Sequence, residues 1–261
     1  MLSPLSINKQ KSLYKAHQKK YRNRLGFYFG EGFRLLTAAL DSPSIHINEI
    51  VLSEKVIDTE QGTYIRRTAS KNKIPVYRCS EQQMHKLSSE ITPPGIFFTI
   101  EKTTASDGNL EERTDRIVVF VEQISDAGNL GAILRSMAWF GIRTLILSPG
   151  CVDIYNPKTV RASAGAIFEM IIYPDIELEP AIALFKVRGY SVSAAVPYGG
   201  RSVRNLERKE NMMIVFGSEA GGLSKSTLKL VDQCITIPRI GHVDSLNLAV
   251  AAGIIFYSLS G

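Results

Sequence analysis

Cysteine, histidine and tryptophan are scarce in this chain of 261 residues, with three Cys, four His and one Trp. Cys79, Cys151 and Cys234 are scattered, odd in number and never at metal-ligand spacing. That argues against a disulfide framework and a cysteine-based zinc site, and fits a reducing compartment. Long apolar runs are missing too: the longest, Leu246 to Leu259, contains Asn247 and Ser258 and is too short to span a bilayer. The chain opens with polar and basic residues rather than an apolar signal core. A cytoplasmic protein with no membrane segment is expected. No G-x-G-x-x-G follows the first strand-like run of the C-terminal half, Ile117 to Val121, which argues against a nucleotide-cofactor oxidoreductase.

What is present is distributed unevenly. Residues 1–105 hold sixteen Lys and Arg against nine Asp and Glu, whereas residues 106–261 hold fifteen against sixteen. Seven cations (Lys9, Lys11, Lys15, Lys19, Lys20, Arg22 and Arg24) precede the first acidic residue, Glu31, with Tyr14, His17 and Tyr21 between them. A charge run is ordinarily a solvated helix face. Cations beside stacking groups also suit RNA, whose phosphates supply affinity and whose unpaired bases supply stacking surface.

Periodicity divides the chain into a small basic α/β domain (1–105), a charged linker (106–115) and a larger α/β domain (116–261). In the first, a basic helix is expected from Ser6 to Arg24 and a second from Glu31 to Leu40. Strands follow at Ile47 to Leu52 and Ile74 to Tyr77 around a helical segment from Glu54 to Asn72, then a helix near Glu81 to Ser88 and an apolar run from Gly95 to Ile100. In the second, strands at Ile117 to Val121, Thr144 to Leu147, Phe168 to Tyr173, Ser191 to Ala195, Met212 to Phe216 and Cys234 to Ile237 alternate with helices at Leu130 to Phe140, Pro157 to Ala162, Glu179 to Arg188, Ser224 to Val231 and Leu246 to Leu259. Such alternation predicts a mainly parallel sheet, whose ligands lie at the carboxyl ends of the strands.

Three segments stand at those ends: Asn129-Leu130-Gly131-Ala132-Ile133-Leu134-Arg135, Gly217-Ser218-Glu219-Ala220-Gly221-Gly222-Leu223, and Ile237-Pro238 with Ser245-Leu246-Asn247. Their polar residues can position a hydroxyl and a cofactor, but they make neither a metal site nor a Ser-His-Asp relay. In this order they resemble the three motifs of the SpoU/TrmH-type 2′-O-ribose RNA methyltransferases of the SPOUT class, over residues 115–261. The front domain resembles the ribosomal-protein-like RNA-binding domain that often precedes them. Arg239 departs from the pattern, standing where an apolar residue is expected after Pro238.

The resemblance implies a trefoil-knotted domain, S-adenosylmethionine as cofactor, no metal, a homodimer, and transfer of a methyl group to a ribose 2′-hydroxyl in structured RNA. Ribosomal RNA, of the large subunit, is favoured over transfer RNA by the extra basic domain. It assigns catalysis to Asn129, Arg135, Glu219, Ser245 and Asn247, and cofactor binding to Ala195, Val196, Phe216, Gly217, Gly221, Ile237, Pro238 and Leu246. Lys15, Lys19, Lys20, Arg22, Arg24, Arg161 and Ser163 are the candidate RNA contacts. Each has a plainer reading. Asn129 suits a helix N-cap, Arg135 a snorkelling surface cation, Glu219 a cap for the helix near Ser224, Ser245 the N-cap of the last helix and Asn247 a polar residue of its first turn. A transfer-RNA methyltransferase and a non-catalytic RNA-binding assembly factor are the alternatives; the latter needs none of the five polar residues together.

Overall fold

A computed structural model describes residues 2–102, 110–112, 115–207, 209–219 and 221–259. The front part runs β1 (Ser3–Pro4), α1 (Ile7–Tyr14), α2 (Lys19–Leu25), β2 (Phe27–Glu31), α3 (Phe33–Asp41), β3 (Ile47–Ser53), α4 (Glu54–Ile57), α5 (Glu60–Lys71), β4 (Val76–Cys79), α6 (Glu81–Leu87) and β5 (Ile96–Glu101). Its sheet has the order β1-β4-β3-β5-β2, with β1 and β3 parallel to β4 and with β5 antiparallel to β3 and β2.

The basic stretch expected as one helix is broken. Gln18 is extended, Lys15–His17 form a 3-10 turn, and left-handed Gly26 (φ 71°) stops α2. The carbonyls freed by the break need donors. The Arg22 guanidinium supplies them, at 2.8 Å from both Ala16 O and His17 O. Strand β2 was hidden from periodicity because Phe27-Tyr28-Phe29-Gly30-Glu31 has no alternation; its apolar residues are buried on both faces. Between α4 and α5, Thr59 caps the second helix by accepting from Gly62 N at 3.1 Å, so the segment from Glu54 to Asn72 is two helices.

The rear part runs β6 (Ile117–Val121), α7 (Ala127–Trp139), β7 (Thr144–Leu147), α8 (Pro157–Ala162), β8 (Ile171–Tyr173), α9 (Leu178–Val187), β9 (Ser191–Ala195), β10 (Arg201–Ser202), β11 (Met212–Phe216), α10 (Lys225–Leu228), β12 (Gln233–Thr236) and α11 (Leu248–Leu259). The seven strands are parallel, in the order β10-β12-β9-β11-β6-β7-β8. Strand β11 is wholly buried and β6 nearly so, the unbroken apolar pattern of a sheet covered on both faces. Because the strands are parallel, the loops after β6, β9, β11 and β12 gather at one edge.

Residues Tyr155–Phe168, between β7 and β8, form one compact unit with Met1–Thr103, a membership that a linear division of the chain does not contain. Tyr155 lies against Tyr28, ring centroids 4.5 Å apart, and a Cβ on Gly165 would stand 2.7 Å from Ala38 Cβ. Of the expected linker, Leu110–Glu112 form a 3-10 turn whose Leu110 carbonyl accepts from Arg188 at 3.1 Å; residues 106–109, 113 and 114 lie outside the described residues. The helix expected from Ser224 to Val231 is the single turn α10, and residues 166–169 are a 3-10 turn ahead of β8.

Asp232 ties α9 to the sheet: it accepts from Val192 N at 2.8 Å and pairs with Lys186 at 2.7 Å. Burial opposes its ionisation, but those two donors outweigh it and hold the carboxyl below its usual range. A depressed carboxyl contributes stability above the unfolded-state pKa and loses it as pH falls through the folded value. Asp232→Asn is therefore expected to cost about 1 kcal/mol at neutral pH, discounted for its partial exposure, and much less in acid. Denaturant melts at the two pH values measure the difference.

Candidate active site

Asp126, not Asn129, caps α7: its carboxylate accepts from Asn129 N at 2.8 Å. Asn129 sits one turn in, and its side chain is released from capping. The amide donates through Nδ2 to Glu219 and accepts at Oδ1 from Asn247 Nδ2 at 3.0 Å. Asn247 is oriented from the other side, because its Oδ1 accepts from Ala249 N at 2.9 Å and Val250 N at 3.3 Å, making it the N-cap of α11. Glu219 also accepts from Ser125 Oγ at 3.0 Å. Donation thus runs in one direction, from the α11 backbone through Asn247 and Asn129 to the Glu219 carboxylate. This polarity sets both amide orientations, since an inverted amide would face donor to donor or acceptor to acceptor.

The Glu219 loop is held by its own backbone. Ser218 and Gly222 exchange N–H···O bonds at 3.3 and 3.0 Å, and Gly221 N donates to Ser218 Oγ at 3.1 Å. A Cβ on Gly217 would lie 2.4 Å from the Gly222 carbonyl carbon, so only glycine permits this return. The helix after the loop is capped by Ser224, which accepts from Thr227 N at 3.0 Å, leaving Glu219 to the motif network.

Beside the network lies a cavity of about 900 Å³, lined by Ala195, Val196, Phe216, Gly217, Gly221, Ile237, Pro238 and Leu246 together with Glu219, Ser245 and Asn247. Leu228, Ile235, Ile255, Tyr198 and Arg239 also line it. Periodicity places the first three within expected helices and a strand and names none of them for the site. Ser245 is exposed in the loop before α11 and hydrogen-bonds to none of the described residues. Asn129 reaches the cavity only through its hydrogen bonds, and Arg135 does not line it. Six residues along α7 is two-thirds of a turn out of phase, so Arg135 projects from another face. There it is exposed, with no hydrogen bond or ion pair to any described residue. The Ser125-Asp126 pair was the missed signal: an Asp three residues before a side chain that must point away from its own helix is a capping pattern. Among the described residues no three His, Cys, Asp or Glu are grouped so as to hold a metal.

A family model described as the SpoU rRNA Methylase family matches residues 116–257, more than half of the chain. The chain belongs to that family. A second model, the MRM3-like substrate binding domain, matches residues 8–97 of this SpoU family member. An uncharacterized tRNA/rRNA methyltransferase of Archaeoglobus fulgidus is 31% identical over 198 residues, covering 75% of this chain and 84% of that one. The 23S rRNA (guanosine(2553)-2′-O)-methyltransferase RlmP of Bacillus subtilis is 28% identical over 255 residues, covering 97% and 96%. The fold matches that of the AdoMet-bound rRNA methyltransferase from Sinorhizobium meliloti, with a TM-score of 0.84 at 24% identity over 99% of this chain and 96% of the other.

The expected RNA contacts sort by exposure. Lys15, Lys19, Lys20 and Arg24 are exposed, with Lys15 Nζ 5.7 Å from the Tyr21 ring centroid. Arg22 is 2% exposed and spent on backbone carbonyls, so its assignment to RNA is corrected to a structural one. Ser163 is fully buried, donating to Val160 O at 2.7 Å, and is corrected likewise. Arg161 pairs with Glu90 and donates to Ser89 Oγ at 3.3 Å. His17 lies between Tyr14 and Phe29 with Nε2 2.7 Å from Leu87 O, which removes it from the stacking surface. Arg22→Ala is expected to destabilise the protein by about 2 kcal/mol through two orphaned carbonyls. Replacing Lys15, Lys19 and Lys20 together by Ala should leave melting unchanged and flatten the slope of log affinity for RNA against log salt by about 2.

Proposed function

We propose that this protein transfers a methyl group from S-adenosylmethionine to a ribose 2′-hydroxyl of ribosomal RNA, with large-subunit RNA as the substrate, and that it does so as a homodimer. The observation that carries the reading is the hydrogen-bonded run Asn247-Asn129-Glu219-Ser125 beside the cavity, which joins all three motif segments. The cavity suits a nucleoside with an amino-acid tail: it has an apolar floor at Phe216, Ile235 and Ile255 and the backbone of Gly217 and Ile237 at its edge. Arg239 is the one basic side chain among the described lining residues, and it is already engaged by Tyr198 and Val243, a poor setting for a pyrophosphate.

S-adenosylmethionine, when bound, would supply a methyl group carried on a sulfonium sulfur and leave as the neutral thioether. The chain's own residues bind and orient. Ser245 and the amides of Asn129 and Asn247 position the target nucleotide. Glu219 is an anchor for this network, its oxygens already accepting from Ser125 and Asn129. A guanidinium stays protonated in proteins and is no base. Arg135 clamps the phosphate beside the target ribose with its fork and orients the hydroxyl, whose proton passes to phosphate or water.

Arg135 adjoins an open groove of about 500 Å³ between α7 and α11, lined by Ala132, Ser136, Phe140, Val250, Ile254 and Tyr257. Val250, Ile254 and Tyr257 are 50%, 37% and 72% exposed there, a patch that a second copy would cover. A symmetric dimer through this face carries each Arg135 toward its partner. The packing of α11 on α7, after the chain has passed through β12 near the far side of the sheet, supports the knotted path of the family. Three unpaired cysteines support a cytoplasmic setting.

Labelled S-adenosylmethionine with unmodified ribosomal and transfer RNA tests the reaction, ribose methylation being mapped by resistance to alkaline cleavage. One protected linkage in ribosomal RNA is expected, reduced about 100-fold or more in Arg135→Ala, with Arg135→Lys failing to restore the parental rate. Transfer to transfer RNA alone, or tight binding without transfer, would replace the reading by its alternatives. Tyr257→Asp should yield an inactive monomer in sedimentation, and mixing inactive Arg135→Ala and Asn247→Ala chains should recover about a quarter of parental activity if the site is shared between subunits.

A further inference from the structure

Arg239 stands in the loop after β12, among the residues that line the cavity. The loop from Ile237 to Asn247 lines the cavity along nearly its whole length, yet its middle has no apolar anchorage: Ile240 is 94% and Val243 67% exposed. At its base the loop is tied to the segment after β9, with Val196 N donating to Ile235 O at 2.9 Å and Thr236 Oγ1 to Pro197 O at 3.0 Å. Further out, the Arg239 guanidinium stacks on the Tyr198 ring at 4.9 Å. It donates to Tyr198 Oη at 3.0 Å and to Val243 O at 3.1 Å, with Asp244 at 4.0 Å. Tyr198 in turn donates to Asp244 O. All four residues line the cavity.

We propose that Arg239 and Tyr198 form a latch that positions the loop after β12 for the cofactor. An apolar residue at 239 would hold the loop by burial. The arginine holds it by its guanidinium lying over the Tyr198 ring and by one nitrogen, Nη1, that reaches both Tyr198 Oη and the loop's own Val243 carbonyl, so the loop can open without exposing apolar surface. With the latch intact, Ile237, Pro238 and Leu246 are already placed, and binding avoids the ordering cost of a free loop. Arg239 is a positioning residue: it shapes the cavity and leaves the reacting atoms to the motif network. The latch rests on the reading of this cavity as the cofactor site.

The test uses S-adenosylhomocysteine titrated calorimetrically into the chain of residues 1–261, with hydrogen exchange of residues 237–247 in the cofactor-free state as a second readout. Arg239→Ala and Tyr198→Ala are each expected to weaken binding about five- to tenfold, to speed exchange of the loop, and to leave melting temperature and turnover at saturating cofactor within about twofold. Arg239→Lys should recover at most part of the affinity, since an ammonium point charge replaces the broad guanidinium lying over the Tyr198 ring. The double variant should lose clearly less than the product of the two single losses, because the Arg239–Tyr198 contact is already lost in each single one. Parental affinity and exchange in Arg239→Ala, or losses that multiply in the double variant, would overturn the latch. Failure of the parent protein to bind S-adenosylhomocysteine would instead remove the cavity assignment beneath it.

Discussion

The side-chain amide of Asn129 has one donor nitrogen and one acceptor oxygen, and both are used to join chain segments far apart in sequence. Its oxygen takes a hydrogen bond from Asn247, 118 residues on, and its nitrogen gives one to Glu219, 90 residues on. This amide is thus the polar link that joins the three loops, with Ser125 as a second partner of Glu219 just ahead of α7. The amide is free for this because Asp126 takes over the capping of α7. Had Asn129 capped its own helix, as its residue type suggests, its oxygen would have been turned to the backbone and the three loops would lack their common partner.

Upstream of that amide everything is arranged to fix direction. The N-terminus of α11 holds the Asn247 oxygen, so only its nitrogen faces Asn129. The Gly217-to-Leu223 turn closes on itself at Ser218 and Gly222 and presents Glu219 outward as an acceptor. Parallel pairing of β6, β9, β11 and β12 brings these loops to one edge, where the cavity opens beside them. The fold is thus a device for bringing backbone ends together, with polarity supplied by helix termini and tight turns.

In the front unit, charge proves a poorer guide than accessibility. Seven leading cations suggest a uniformly basic face, but Arg22 is folded inward to satisfy the carbonyls of a broken helix, and Lys9 is engaged with Glu49 at 2.6 Å and lies over Tyr77. The cations left to solvent are Lys11, Lys15, Lys19, Lys20 and Arg24. Arg161 and Ser163, which lie in the catalytic half of the sequence, are built into the front unit, where one is paired to Glu90 and the other buried.

By itself the sequence determined six of the seven described rear strands, because buried parallel strands such as Met212–Phe216 are continuous apolar runs, while the two-residue β10 and the shortness of α10 left no mark in periodicity. It also placed the motif segments at strand ends, since parallel β-α alternation leaves no other place for them, and eight residues named for the cofactor line one cavity. What only the tertiary structure decided are properties of contact: that Asp126 rather than Asn129 is the cap, that Arg22 and Ser163 are buried, that Tyr155–Phe168 joins the front unit, and that Arg239 meets Tyr198. The physical reason is common to all four. A hydrogen bond, a stack or a buried carbonyl depends on partners tens of residues away or on the rotamer that packing permits, and neither is encoded in local periodicity.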